Sequence, residues 1–190
     1  MTRDTATGKA SGEAEDAARG ATRAEAGEAS AWAKFSVPLS LSRGQTVLHP
    51  SRDELVDFVR TLRDDEGFQL CNDLTAVDHL AYDAPRDLPE GIAPERYEVV
   101  IGLLSLTNRE RVRLRVQVPG DDATCPSLFD VHPGTEAFER EVYDMFGIRF
   151  EGHPDLTRIL MPEDWEGHPL RKDTPVGAIP VQFKGVQNAR

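Results

Sequence analysis

Cysteine is nearly absent from this chain of 190 residues, which carries only Cys71 and Cys125. Two thiols without a CxxC pair build neither a disulfide framework nor a cysteine-rich metal site. Each reads as a small apolar residue in a core. Long apolar runs are missing too. The longest, Val99 to Leu106, falls far short of the ~20 residues that cross a bilayer. The first residues lack the apolar core of a secretory signal. Positive charge is scarce, with 22 Lys+Arg against 33 Asp+Glu and a net charge of −11. Such a balance is poorly suited to gripping nucleic-acid phosphates. The expectation is a soluble, cytosolic protein with no nucleic-acid partner. Familiar catalytic signatures are missing as well. There is no GxSxG elbow, no phosphate-binding GxxxxGK loop, no GxGxxG after a strand and no HExxH.

What is present falls into three stretches. Residues 1–31 contain, after Met1, no Val, Ile, Leu, Phe, Tyr or Trp. With no apolar surface to offset ordering entropy, this stretch reads as a disordered, acidic, Ala-rich tail. Residues 32–147 read as one α/β domain. Ser51-Arg52-Asp53-Glu54 matches a capping box, and Leu55, Phe58, Val59 and Leu62 follow at helical spacing up to Gly67. Phe68–Cys71 and Thr75–Leu80 resemble two short strand pieces. Glu98–Leu106 reads as a buried strand, and Thr107–Glu110 as a polar turn. Val112, Leu114, Val116 and Val118 then alternate with Arg111, Arg113, Arg115 and Gln117, completing an antiparallel hairpin with arginines on one face. That face is either solvated or a docking face for an acidic partner. Thr135 is placed to cap a second helix, Glu136 to about Phe146, with Gly147 as its left-handed end. Arg140 lies four residues from both Glu136 and Asp144 and can pair with either. Residues 148–190 contain Pro154, Pro162, Pro169, Pro175 and Pro180, which exclude a long helix. Their spaced apolar groups predict an extended segment lying across its own domain or a partner.

Two places could carry chemistry. Glu151-Gly152-His153-Pro154 is echoed by Glu166-Gly167-His168-Pro169, and nearby carboxylates would suit a metal or acid–base site. The spacing matches no ligand set, however, and Gly-His-Pro is also a natural turn. Asp73 and Asp78 read as surface charge or capping. Glu139-Arg140-Glu141 packs three charges on one helical turn, so at least one should face packed protein.

The run EREVYDMFGIRFEGHPDLTRILMPEDWEGHPLRKD, Glu139 to Asp173, resembles the signature of the C-type subunit of bacterial NADH:quinone oxidoreductase, respiratory complex I. The likeness continues more weakly through Thr75–Asp78, Leu103–Leu106 and Cys125–Leu128. Homologous subunits also occur in membrane-bound energy-converting hydrogenases and related quinone oxidoreductases. Thr157 departs from a basic residue usual in the family, and Thr174 from a frequent aromatic.

The resemblance implies an α/β (α+β) fold with a mixed sheet and packed helices, followed by a proline-rich C-terminal segment that wraps a partner. It implies a structural component of the peripheral arm beside the D-type and B-type subunits, on the cytoplasmic face of the membrane. The holoenzyme passes electrons from NADH through FMN and iron–sulfur centres to quinone, menaquinone or ubiquinone, coupled to proton translocation. This chain is expected to bind no cofactor and no metal, and to have no catalytic residue. The signature residues Glu139, Arg140, Glu141, Asp144, Gly147, His153, Pro154, His168, Pro169, Arg171, Lys172 and Asp173 are then expected to serve docking to neighbouring subunits.

Overall fold

The computed structural model describes Trp32 and residues 34–174. The expected tail at 1–31 lies outside the described residues. Within them ten short elements follow one another: strands β1 (Leu39–Ser42) and β2 (Gln45–Leu48), helix α1 (Leu55–Asp64), strands β3 (Leu70–Asp78), β4 (Tyr97–Ser105), β5 (Glu110–Val118) and β6 (Thr124–Pro126), a 3-10 turn (Pro133–Thr135), helix α2 (Glu136–Phe146) and strand β7 (Arg149–Glu151). The fold is a mixed α+β arrangement, as the sequence leads one to expect.

Five strands form one sheet in the order β1-β2-β5-β4-β3. Only β2–β5 is parallel among them. The β1–β2 hairpin turns through Arg43 (φ 53°) and Gly44 (φ 72°), two left-handed residues of the kind that match strand twist. The hairpin β4–β5 pairs in unbroken register from Tyr97↔Val118 to Ser105↔Glu110, with Arg109 left-handed at its turn. β3 is a single strand, not two pieces. A register shift between Cys71 and Asp73 puts a bulge in it, which breaks the alternation that reveals a strand in sequence. A second, two-stranded sheet joins β6 and β7 in parallel.

Period two decides which side of the main sheet is core. Val99, Ile101 and Leu103 of β4 and Val112, Leu114 and Val116 of β5 point inward. Leu55, Phe58, Val59 and Leu62 of α1, and Val142, Met145 and Phe146 of α2, join the same core. Glu54 reaches back to the Ser51 amide at 2.7 Å, but the helix proper begins at Leu55, so half of the capping box forms. On the other sheet face Arg111 is exposed and Arg113 half-buried. Arg115 is paired with the buried Glu98 at 3.1 Å. Among the described residues no helix is long and apolar enough to cross a membrane.

Candidate docking site

Helix α2 supplies two buried carboxylates, and each organises a different piece of chain. Glu139 is fully buried. It accepts hydrogen bonds from the Ser127 hydroxyl (2.6 Å), the Leu128 amide (2.8 Å) and the Thr135 hydroxyl (2.8 Å). Thr135 therefore does not cap the helix backbone; its hydroxyl goes to Glu139 instead. Burial pushes the Glu139 carboxyl above its ordinary range, and those three donors offset only part of the effect. Glu141, on the same turn, is exposed.

Asp144 is the second. Its carboxylate, fully buried, accepts three consecutive amides: Ile159 at 3.1 Å, Leu160 at 2.8 Å and Met161 at 2.8 Å. The Arg158 guanidinium pairs with its other oxygen. Burial works to raise this carboxyl; the Met161 amide, Arg158 and the Leu160 and Ile159 amides outweigh it and hold it below the usual carboxylate range. The expected Arg140–Asp144 pair is thus not formed. Arg140 sits within reach of Glu136 (3.8 Å) and donates to the carbonyls of Thr157 and Arg158 and to the Thr157 hydroxyl. Thr157, one of the two departures from the family pattern, serves here as an acceptor for Arg140.

Both histidines of the repeated motif bond the backbone. His153 donates through Nε2 to the Glu136 carbonyl (3.1 Å) and accepts the Asp155 amide at Nδ1 (3.1 Å), which leaves no ring nitrogen for a metal or a proton transfer. His168 donates through Nδ1 to the Asp144 carbonyl at 2.9 Å. Its ring lies against Gly147, where a Cβ would fall 2.6 Å from Nε2. Gly147 also has φ +77°, so both the helix end and the close approach require glycine. Pro154 is exposed and Pro169 half-buried; each follows its histidine in the turn.

Beyond His168 the chain crosses to the main sheet. The Arg171 Nε donates to the Tyr97 hydroxyl (2.7 Å), and the Lys172 amide to Asp78 (2.9 Å). Arg96 ties Asp78 (3.0 Å) to Asp173 (2.8 Å). Asp78 is buried, not surface charge. Burial alone would raise its carboxyl, but Arg96 and the amides of Lys172 and Leu80 bring it below the usual range. Sequence reasoning did not single out Arg96 or Tyr97, and it misread Asp78. Their partners lie 18 to 94 residues away, and no local spacing marks them.

The segment from Gly152 to Thr174 thus lies across its own domain, fixed by side chains of α2, β3 and β4. Both thiols are pushed up to about 12 by burial, far from reactive thiolates. Among the described residues no group of three His, Cys, Asp or Glu side chains is placed to hold a metal ion.

A family model described as respiratory-chain NADH dehydrogenase, 30 Kd subunit, matches residues 48–179. The chain belongs to that family. Its relatives named as the C-type subunit of NADH-quinone oxidoreductase include one from Saccharopolyspora erythraea, 44% identical over 157 residues, which are 82% of this chain and 59% of the relative. Another, from Acidothermus cellulolyticus, is 46% identical over 147 residues, 76% of this chain and 71% of that one. The chain thus spans somewhat over half the length of most of the curated relatives it matches. A solved trypsin-resistant fragment (1-134) of Nqo5 superposes with a TM-score of 0.58 at 34% identity, over 70% of this chain and 99% of that one. A chain from the membrane-bound sulfane sulfur reductase, an archaeal respiratory membrane complex, shares the fold with a TM-score of 0.65 at 23% identity, over 88% and 99%. The 30 kDa-subunit family match covers β3, β4 and β5 of the main sheet, both helices and the segment laid across them, so the buried carboxylate network falls inside the matched region.

Proposed function

We propose that this chain is a structural and docking component of the peripheral arm of NADH–quinone oxidoreductase, with no bond-making step of its own. The observation that carries the reading is the fate of the signature residues. Glu139 binds the 127–135 turn, while Arg140, Asp144, His153 and His168 make internal bonds that fix the shape of residues 152–174. A family signature that encodes shape and no reactive group is what a scaffold subunit requires. Relatives at 44–46% identity, named for the same component of that enzyme, favour this complex over the homologous energy-converting hydrogenases.

On this reading NADH oxidation, the FMN and iron–sulfur centres, and quinone reduction belong to other subunits. The chain binds no flavin, cluster or metal, contacts the D-type and B-type subunits, and reaches the membrane only through the complex, at its cytoplasmic face. The test is Arg140→Ala in the complete complex. Losing the three carbonyl and hydroxyl contacts of Arg140 should lower the amount of assembled complex, with quinone reduction falling in proportion. Turnover per assembled complex should stay at the wild-type value. Normal assembly with collapsed turnover would place these residues in the redox chemistry and overturn the proposal.

A further inference from the structure

Ile159 and Leu160 are 40% and 60% exposed although both of their amides are bonded to the buried Asp144 carboxylate. Three successive amides converge on one buried carboxylate, forming a concave anion nest with Asp144 as its resident anion. Arg158 closes the same loop by donating to the Gly167 carbonyl at 3.1 Å. Because the amides face inward, the two aliphatic side chains are turned out. An apolar pair on an ordinary surface loop would be mobile. Here its conformation is fixed before any partner arrives, which removes the ordering cost of binding.

The surroundings specify the partner. Between Glu151 and Gly167 the chain carries exposed Glu151, Asp155, Glu163, Asp164 and Glu166. Arg140 and Arg158, which reach this stretch, are spent on internal acceptors, and the exposed Arg149 just ahead of it is one cation against five carboxylates. An apolar pair in so acidic a stretch of chain is repelled by an anionic lipid surface and attracted by a basic protein rim.

From this we infer that Ile159 and Leu160 are a preset knob that inserts into an apolar, Lys/Arg-rimmed pocket of a neighbouring subunit. The inference rests on the proposed assembly role and adds the contact point and the chemistry of its receptor. The experiment is reconstitution of chain-depleted complex with purified full-length chain. Leu160→Ser should weaken rebinding roughly ten- to hundredfold, the equivalent of one buried leucine. Leu106→Ser, at a residue 69% exposed on the β4–β5 turn, should rebind like wild type. Glu163→Gln with Glu166→Gln should slow association and flatten its dependence on salt. Leu160→Ser rebinding with wild-type affinity overturns the knob while leaving the assembly role intact. Failure of the wild-type chain to rebind at all overturns both. Binding of the wild-type chain, but not Leu160→Ser, to vesicles containing anionic lipid would show a membrane contact and overturn the protein receptor.

Discussion

Replacing Asp144 by Asn keeps the side chain's size and removes its charge. The amide offers one acceptor oxygen where the carboxylate offers two, and it turns an NH2 toward groups that are all donors. Four donors now meet the carboxylate: the amides of Ile159, Leu160 and Met161 and the Arg158 guanidinium. Removing one partner of a buried ion pair costs ~3–5 kcal/mol. The Arg158 side chain is 17% exposed and retains the Gly167 carbonyl, which places the loss at the low end, about 3 kcal/mol. With a urea slope of about 2 kcal/mol/M, the midpoint should fall by about 1.5 M. The exposed neighbour Asp155, changed to Asn, should change the stability by less than about 0.5 kcal/mol. Hydrogen exchange adds a local readout. The amides of residues 159–161 should lose protection in Asp144→Asn well before those of β4. A loss below ~1 kcal/mol, the value of a solvent-exposed pair, or unchanged protection of the three amides, would refute the claim that this carboxylate fixes the loop.

Gly147→Ala forces a Cβ to 2.6 Å from the His168 ring at φ +77° and should destabilise by at least ~1–2 kcal/mol; combining it with His168→Ala should cost less than the sum of the two, by thermal melts. Arg96→Gln leaves the Asp78 carboxylate buried without its cation and should lower stability by about 3 kcal/mol, while trypsin cleavage at Arg171 and Lys172, followed by mass spectrometry, accelerates. Asp78 and Asp144 both have lowered pKa values, so their stabilisation is complete above the unfolded value near ~3.9 and disappears as pH falls through the folded values. Glu139, with a raised pKa, acts oppositely and loses stability as pH rises from the unfolded value through the folded one. Acid titration of the melting temperature should therefore show a steep fall below about pH 4 that becomes shallower in Asp144→Asn.

Local pattern served well wherever a structure is built from neighbours in sequence. The apolar stripe of Leu55, Phe58, Val59 and Leu62 marks α1, the alternation from Val112 to Val118 marks β5, and Gly147 marks the end of α2. β3 was legible only in pieces because the bulge at Cys71 shifts its phase. Asp144 illustrates the deeper limit. The spacing of four to Arg140 favours a surface pair worth ~0.2–0.5 kcal/mol, whereas three amides and Arg158 from 14 to 17 residues away offer far more. The same holds for Asp78, whose partners are the Arg96 guanidinium and the Lys172 amide. The segment lying across its own domain could therefore be anticipated from its prolines and spaced apolar groups, while the bonds that give it shape could not.

The bond between Asp78 and Lys172 spans 94 residues, and that between Tyr97 and Arg171 spans 74. A ribosome adding ~5–20 residues per second needs roughly 5–20 seconds to pass from the first partner to the second. Through that interval the sheet can form, with Asp78 covered by Arg96 and the Leu80 amide, while the loop on Asp144 waits for its later residues. The surface proposed to meet other subunits is consequently made late, within the last sixteen of the described residues. On the proposed reading, a polypeptide released before residue 158 would lack Ile159 and Leu160 together with the amides that Asp144 holds, and so would lack the contact by which a finished chain is to join its neighbours.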